Sequence, residues 1–348
     1  MKDIFTHKWI PFWLAGFTFL FVKLAVAFPD MVDRIYSKGI YPYWAQISSS
    51  VTNFIPFSLW DFFWTILFLL LIIGSVKLIV QRKSFKISLI RFLRIIALIY
   101  TLFYWSWGFN YFRPGLSERQ KWTLKVEIAD SLFKEQLNLL IEQTNELAGV
   151  EKEKNRDMVK LFLDEGYEMI HKDFNLPYPN GKRKPKPMLF ARWIAASGIS
   201  GYFGPFFNEV HVNQHCLPVE YPFALAHEMA HQFGIPSESE ANFFAWLVCS
   251  TSELSAVRYS GNLMLLRYFL YDARKVEGAE ESIQKISPNV KADFAAIQKH
   301  WNALRISELD EFQTKANNLY LKTNRVKGGI QDYNRVVKIV LHWKAGSD

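Results

Sequence analysis

The residues of this chain best equipped for chemistry are His227-Glu228-Met229-Ala230-His231, two imidazoles four positions apart with a carboxylate between them. On a helix, residues i and i+4 project from one face, so both histidines can reach one tetrahedral metal ion. Glu228 lies beside that face, where it can take a proton from a metal-bound water. The chemistry this supports is metal-assisted hydrolysis of a peptide bond, with Zn2+ as the expected cofactor. The surroundings favour a helix. Pro222 suits a first helical turn, residues 223–226 contain no breaker, and Gly234 followed by Pro236 is a stop signal.

Such a site needs a third protein ligand and an open fourth position for water. Seven residues after His231 the chain reads Glu238-Ser239-Glu240-Ala241-Asn242 and continues into an apolar run, behind a good N-cap at Ser237. Glu240 stands three positions after Ser237, as in a capping box, which leaves Glu238 for the metal. A glutamate in a first helical turn can also serve only the helix dipole. Both carboxylates therefore stay open, with Glu238 the expected ligand and Glu240 its rival. A Gly-Pro turn between the helices would let them cross.

Several elements must position these residues. The chain has 348 residues, half of them hydrophobic, and the apolar ones crowd the start. Stretches at about 9–28, 59–80 and 92–109 are each long enough to cross a bilayer. Trp9, Trp13, Trp60, Trp64, Trp105 and Trp107 sit near their ends, as interfacial aromatics do. Lys2 and Lys8 precede the first span, and Arg82, Lys83, Lys86 and Arg91 separate the second from the third without an acid. The positive-inside rule then puts the N-terminus and that loop in the cytoplasm and everything after Asn110 outside. Ala25-Val26-Ala27 resembles a signal-peptidase site, but Lys23 and Pro29 argue that the first span is retained.

Residues 1–112 thus form a membrane region and 113–348 one globular domain, large enough for a full core. Helical patterns run over Val126–Gly149, Asn155–His171, Leu254–Arg274, Asn289–Leu304 and Gln331–Trp343. Met188–Ile194 and Glu209–Asn213 read as short strands on either side of a glycine-rich turn, the second able to pair with a substrate backbone. The basic stretch 177–187 reads as a solvated loop, and His211 and His215 as surface or supporting residues. Cys216 and Cys249 are expected as two unpaired small apolar residues. The net charge of +8 belongs largely to membrane flanks and one loop, which excludes nucleic acid as a partner.

His-Glu-x-x-His followed by Glu-x-x-Ala-Asn and an apolar helix resembles the gluzincin metallopeptidases. That likeness implies Glu238 as third zinc ligand and Asn242 as the residue holding a histidine, although most gluzincins place the third ligand tens of residues further on. Over most of its length the chain is similar to the DUF3810 family of bacterial membrane proteins. The similarity is carried by three apolar spans, Trp107–Arg113, Gly198-Ile199-Ser200-Gly201 with Glu209–Asn213, the HExxHQxG site and Tyr320-Leu321-Lys322. It implies a zinc-peptidase-like domain in a bacterial membrane protein and names no substrate; the multi-pass placement in the bacterial inner membrane follows from the spans and the basic residues that flank them.

The expected architecture is therefore α+β and mostly helical, with three N-terminal transmembrane helices followed by an extracytoplasmic zincin-like domain with a small sheet. The expected function is a membrane-anchored zinc metallopeptidase acting on a peptide or protein substrate. His227, His231 and Glu238 would hold zinc, and Glu228 would be the catalytic base. Tyr221, Tyr259, Tyr268 and His211 are unranked choices for stabilising an oxyanion. The alternative is a sensor or peptide-binding membrane protein that binds zinc without turnover. A transporter is disfavoured, because the spans carry no intramembrane charge pair.

Overall fold

A computed structural model describes residues 7–81, 84–122, 129–178, 183–324, 326, 332–333 and 335–346. Lys2, Arg82, Lys83, the helix start expected at 126–128, residues 179–182 of the basic stretch and Gln331 lie outside the described residues. The chain is mostly helical with one two-stranded sheet, and it divides into two compact units. The first comprises residues 1–113 with two later insertions, 179–189 and 204–209; the second holds the remainder.

In the first unit, α1 (Ile10–Ala27), α4 (Leu59–Val80) and α5 (Phe85–Ser106) are long and apolar enough to cross a membrane. The sequence reading began the third span at 92, but the helix begins at Phe85 and carries Lys86 and Arg91 in its first turns. Hydropathy marks where lipid can start, and a helix continues past that point when nothing breaks it. The connection between α1 and α4 is also helical: α2 (Pro29–Met31), a π-helical stretch Val32–Ile40 and α3 (Tyr41–Thr52). Trp107 does not face outward. It is only 4% exposed, edge-on to Tyr111.

The insertions hold this unit together through helix ends. Ser58 caps α4 by accepting from Asp61 N–H (2.9 Å), and Glu209 accepts from the N–H groups of Leu59 (3.3 Å) and Trp60 (3.0 Å). An anion at a helix N-terminus satisfies orphan donors and opposes the dipole. Lys186 donates to the carbonyls of Thr52 (2.7 Å) and Ile55, and Leu189 N–H donates to Asp61 (2.8 Å). The basic stretch is therefore not a solvated loop where it is described, since Arg183 and Lys186 are both buried. The Glu209 side chain is likewise committed to a helix end.

The second unit continues with α6 (Leu116–Arg119), α7 (Asp130–Glu146), α8 (Arg156–Ile170) and α9 (Ala191–Ala196). After the hairpin of β1 (Gly201–Gly204) and β2 (Glu209–Val212) come α10 (Tyr221–Gln232), α11 (Glu238–Ser250), α12 (Ser255–Ala273), α13 (Glu280–Gln284), α14 (Pro288–Leu304), α15 (Ser307–Thr323) and α16 (Val336–Ala345). Residues 188–194 are not a strand. They enter α9, and the first strand is instead Gly201–Gly204, inside the stretch read as a turn. Short apolar runs do not distinguish strand from buried helix, and pairing with β2 decides the matter.

Helices α10, α11 and α12 form the heart of this unit, with Leu225, Ala226, Ala230, Phe243, Phe244, Val257 and Leu266 fully inaccessible. Alanines on α10 and Gly261 on α12 let backbones approach closely. A Cβ at Gly261 would lie 2.5 Å from the Cβ of Cys249. Cys249 and Cys216 are both buried free thiols that pack as small apolar groups.

Candidate metal centre

The HExxH segment forms the C-terminal half of α10. Pro222 occupies its first turn, and Gly234, at φ +78°, ends it with Ile235 N–H donating back to Ala230 O (3.2 Å). That six-to-one closure needs a left-handed residue, which glycine supplies without strain. The same turn has a second use: Ile235 O accepts from His231 Nδ1 at 2.7 Å.

His227 is oriented in the same way from α11. Asn242 donates its Nδ2 to the Tyr268 hydroxyl (3.1 Å) and to Tyr333 O (3.5 Å), so its Oδ1 faces His227 and accepts from Nδ1 at 2.9 Å. With both Nδ1 atoms engaged, each imidazole turns its Nε2 inward. The two Nε2 atoms are 3.1 Å apart, and Glu238 Oε2 lies 3.1 Å from one and 3.4 Å from the other. The three ligand atoms all lie within 4.8 Å of one another.

Three acceptors this close repel one another unless positive charge sits among them. Burial works against a charged His231, yet Glu238 beside it raises that imidazole to about 9. Burial likewise opposes ionisation of Glu238, but His231 and His227 hold its carboxyl well below the usual range. Two imidazole nitrogens and one carboxylate are a donor set that suits zinc, and the tautomers required for ligation are already fixed by outer partners.

Glu238 and Glu240 diverge as their two-residue spacing requires. Ser237 caps α11 by accepting from Glu240 N–H (3.4 Å), as expected, but the Glu240 side chain does not return to Ser237. It accepts from Leu116 N–H (2.7 Å) and from Arg119 Nη2 (2.8 Å), tying down α6. The capping box is therefore only half formed. Asp332 supplies the missing anion, accepting from Ser237 Oγ (2.9 Å) and from Ser239 N–H (3.4 Å) and Oγ (3.3 Å).

Glu228 is buried, and burial, with Glu238 adding to it, pushes its carboxyl up to about 7 against the opposing pull of the two histidines. Strand β1 passes directly over it. A Cβ at Gly201 would meet Glu228 Oε1 at 2.7 Å and His211 O at 3.0 Å.

The residues held open for oxyanion stabilisation have separate fates. The Tyr259 hydroxyl donates to Asp293 and Tyr221 stacks under Arg156, so both serve other contacts. Tyr268 supports Asn242. His211 is not a surface residue; it is fully buried and stacked on Tyr202 at 4.4 Å. Tyr333 was not singled out by the sequence, yet its half-buried ring lies parallel to His227 at 6.5 Å. It falls within the stretch read as helix 331–343, whereas α16 begins only at Val336. Asp332 and Arg119 were missed because each acts from a distant part of the chain, and Gly201 was read only as part of a family motif, without its place over Glu228.

A family model described as "Protein of unknown function (DUF3810)" matches residues 36–341. No curated protein matches the chain. No solved structure matches it either.

Proposed function

We propose that this chain, which belongs to the DUF3810 family of proteins of unknown function, is a membrane-anchored zinc metallopeptidase. The observation that carries the reading is the convergence of His227 Nε2, His231 Nε2 and Glu238 Oε2 within 4.8 Å, one position along α10 from a buried glutamate. A zinc ion held by these three residues would acidify its water and polarise a peptide carbonyl. Asn242 and Ile235 O keep the imidazoles in the ligating tautomer. Glu228 takes the proton from the attacking water and returns it to the leaving amine. A carboxyl raised towards neutrality suits both steps.

In this reading the enzyme is a multi-pass protein of the bacterial inner membrane, and the domain after Arg113 faces outward. A reporter active only outside the cytoplasm should work when fused after Arg113 or at Asp348 and fail near Lys83. The reverse pattern would move the site, and its substrates, to the cytoplasm.

The function itself is tested by comparing the N-termini of envelope proteins between cells carrying wild-type protein and cells carrying Glu228→Gln. Neo-N-termini present only with the wild type support a peptidase. An unchanged set would favour a zinc-binding sensor or peptide-binding module without turnover.

Gly201→Ala offers a test from the structure alone. The new methyl would overlap Glu228 and has backbone behind it at His211, so the carboxylate must shift. A displacement near 1 Å can cost on the order of 10²-fold in rate, and that loss is expected in kcat with zinc content unchanged. Wild-type turnover in this variant would mean that Glu228 is not the base.

A further inference from the structure

Helix α3 is inside out for a water-soluble segment. Residues 41–60 contain no Asp, Glu, Lys or Arg. Tyr43, Ile47 and Val51, spaced to share one helical face, and Phe54 in the turn that follows, are 69%, 63%, 60% and 89% exposed. The opposite face buries Tyr41, Ala45, Ser49 and Thr52, and the Ser49 and Thr52 hydroxyls donate to backbone carbonyls of their own helix. An uncharged apolar stripe of this kind marks an interaction surface.

A second observation concerns the ends of the helices. The carbonyls of Thr52 and Ile55, at the end of α3, accept from the buried Lys186 ammonium. The N–H groups of Leu59 and Trp60, at the start of α4, donate to the buried Glu209 carboxylate. In water such groups can be solvated; where water is scarce the protein must supply the partners itself. The exposed apolar surface also continues without a charge from Phe54 through Phe57 and Phe62 to Ile66 on α4, a helix apolar enough to span. Twelve residues of helix rise only about 18 Å, too little to cross about 30 Å of hydrocarbon.

We infer that α3 lies along the membrane–water boundary as a fourth lipid-contacting element, with Tyr43, Ile47, Val51 and Phe54 seated among the acyl chains of the bilayer. The connection between the first two spans is then part of the anchor and not an extramembrane loop.

The test uses the full chain in vesicles of phosphatidylethanolamine and phosphatidylglycerol. The two native cysteines are buried, so a nitroxide can be placed singly on Ile47→Cys, Val51→Cys and Phe54→Cys. Phe312→Cys on α15, 73% exposed, serves as a control outside this unit. Collisions with molecular oxygen should exceed those with a water-soluble nickel chelate at 47, 51 and 54, and the order should reverse at 312. Nickel collisions dominating at 47 and 51 would place the face in water and overturn the inference. Exclusion of both reagents would overturn it as well, and would point to a protein partner such as a second copy. Three positions keep the result independent of any one variant that misfolds.

Discussion

Glu228→Gln is expected to lower kcat/KM on a peptide substrate by about 10²–10⁴-fold, the contribution of a positioned general base, while zinc content and thermal melting stay at wild-type levels. The amide keeps the size and shape that fit beneath Gly201, so the packing of β1 over α10 survives. None of the three converging ligand atoms is touched. What disappears is the ability to accept a proton. Melting should not fall, because a buried carboxylate is being exchanged for a neutral group in a site where burial already disfavours its charge. Activity within a few-fold of wild type would sink the assigned role, and a loss of zinc would show that Glu228 supports the metal cluster.

The second large effect separates two glutamates that are two positions apart. Glu238→Ala should strip zinc from the purified protein as severely as His231→Ala, because only two protein ligand atoms would remain. Asn242→Ala should act more mildly, weakening zinc binding by about 10–100-fold as loss of an outer partner does. Glu240→Ala should leave the metal bound and strike stability instead. Its carboxylate pairs with Arg119, and the two side chains are 10% and 6% exposed. Removing one partner of so buried a pair costs about 3–5 kcal/mol, because the guanidinium is left without its counter-charge. That exceeds the roughly 1 kcal/mol of a lost cap, the role the sequence suggested. Glu240→Gln keeps an acceptor for Leu116 N–H and serves if the alanine variant does not fold. Zinc analysis decides directly: metal lost in Glu240→Gln and kept in Glu238→Ala would reverse the assignment.

Much of the site was legible in the sequence because it is local. The i, i+4 histidines, the Gly234 stop, the Ser237 cap and the 200° divergence of Glu238 from Glu240 follow from helix geometry and capping chemistry within sixteen residues. The apolar helix Leu59–Val80 was legible for a similar reason, since its central stretch carries no charge or breaker. Errors arose where a partner lies far away. Glu209 lies in the strand expected of it, but its side chain caps α4, 150 positions earlier, a role nothing local announces. Lys186 looked solvated and closes the end of α3. Met188–Ile194 looked like a strand because a short apolar run carries no information about pairing.

By itself, then, the sequence determined the i, i+4 histidines, the glutamate between them, the turn that brings a carboxylate back and the apolar segments. Each depends on dihedral preferences and side-chain periodicity along one short stretch of chain. Only the tertiary structure decided which carboxylate joins the histidines, which tautomers they hold and what lies over Glu228. Those depend on Asn242 meeting Tyr268 and Tyr333, on Arg119 capturing Glu240 and on Gly201 passing over α10. Hydrogen bonds and close approaches between residues dozens of positions apart exist only once a common core has ordered the elements that carry them.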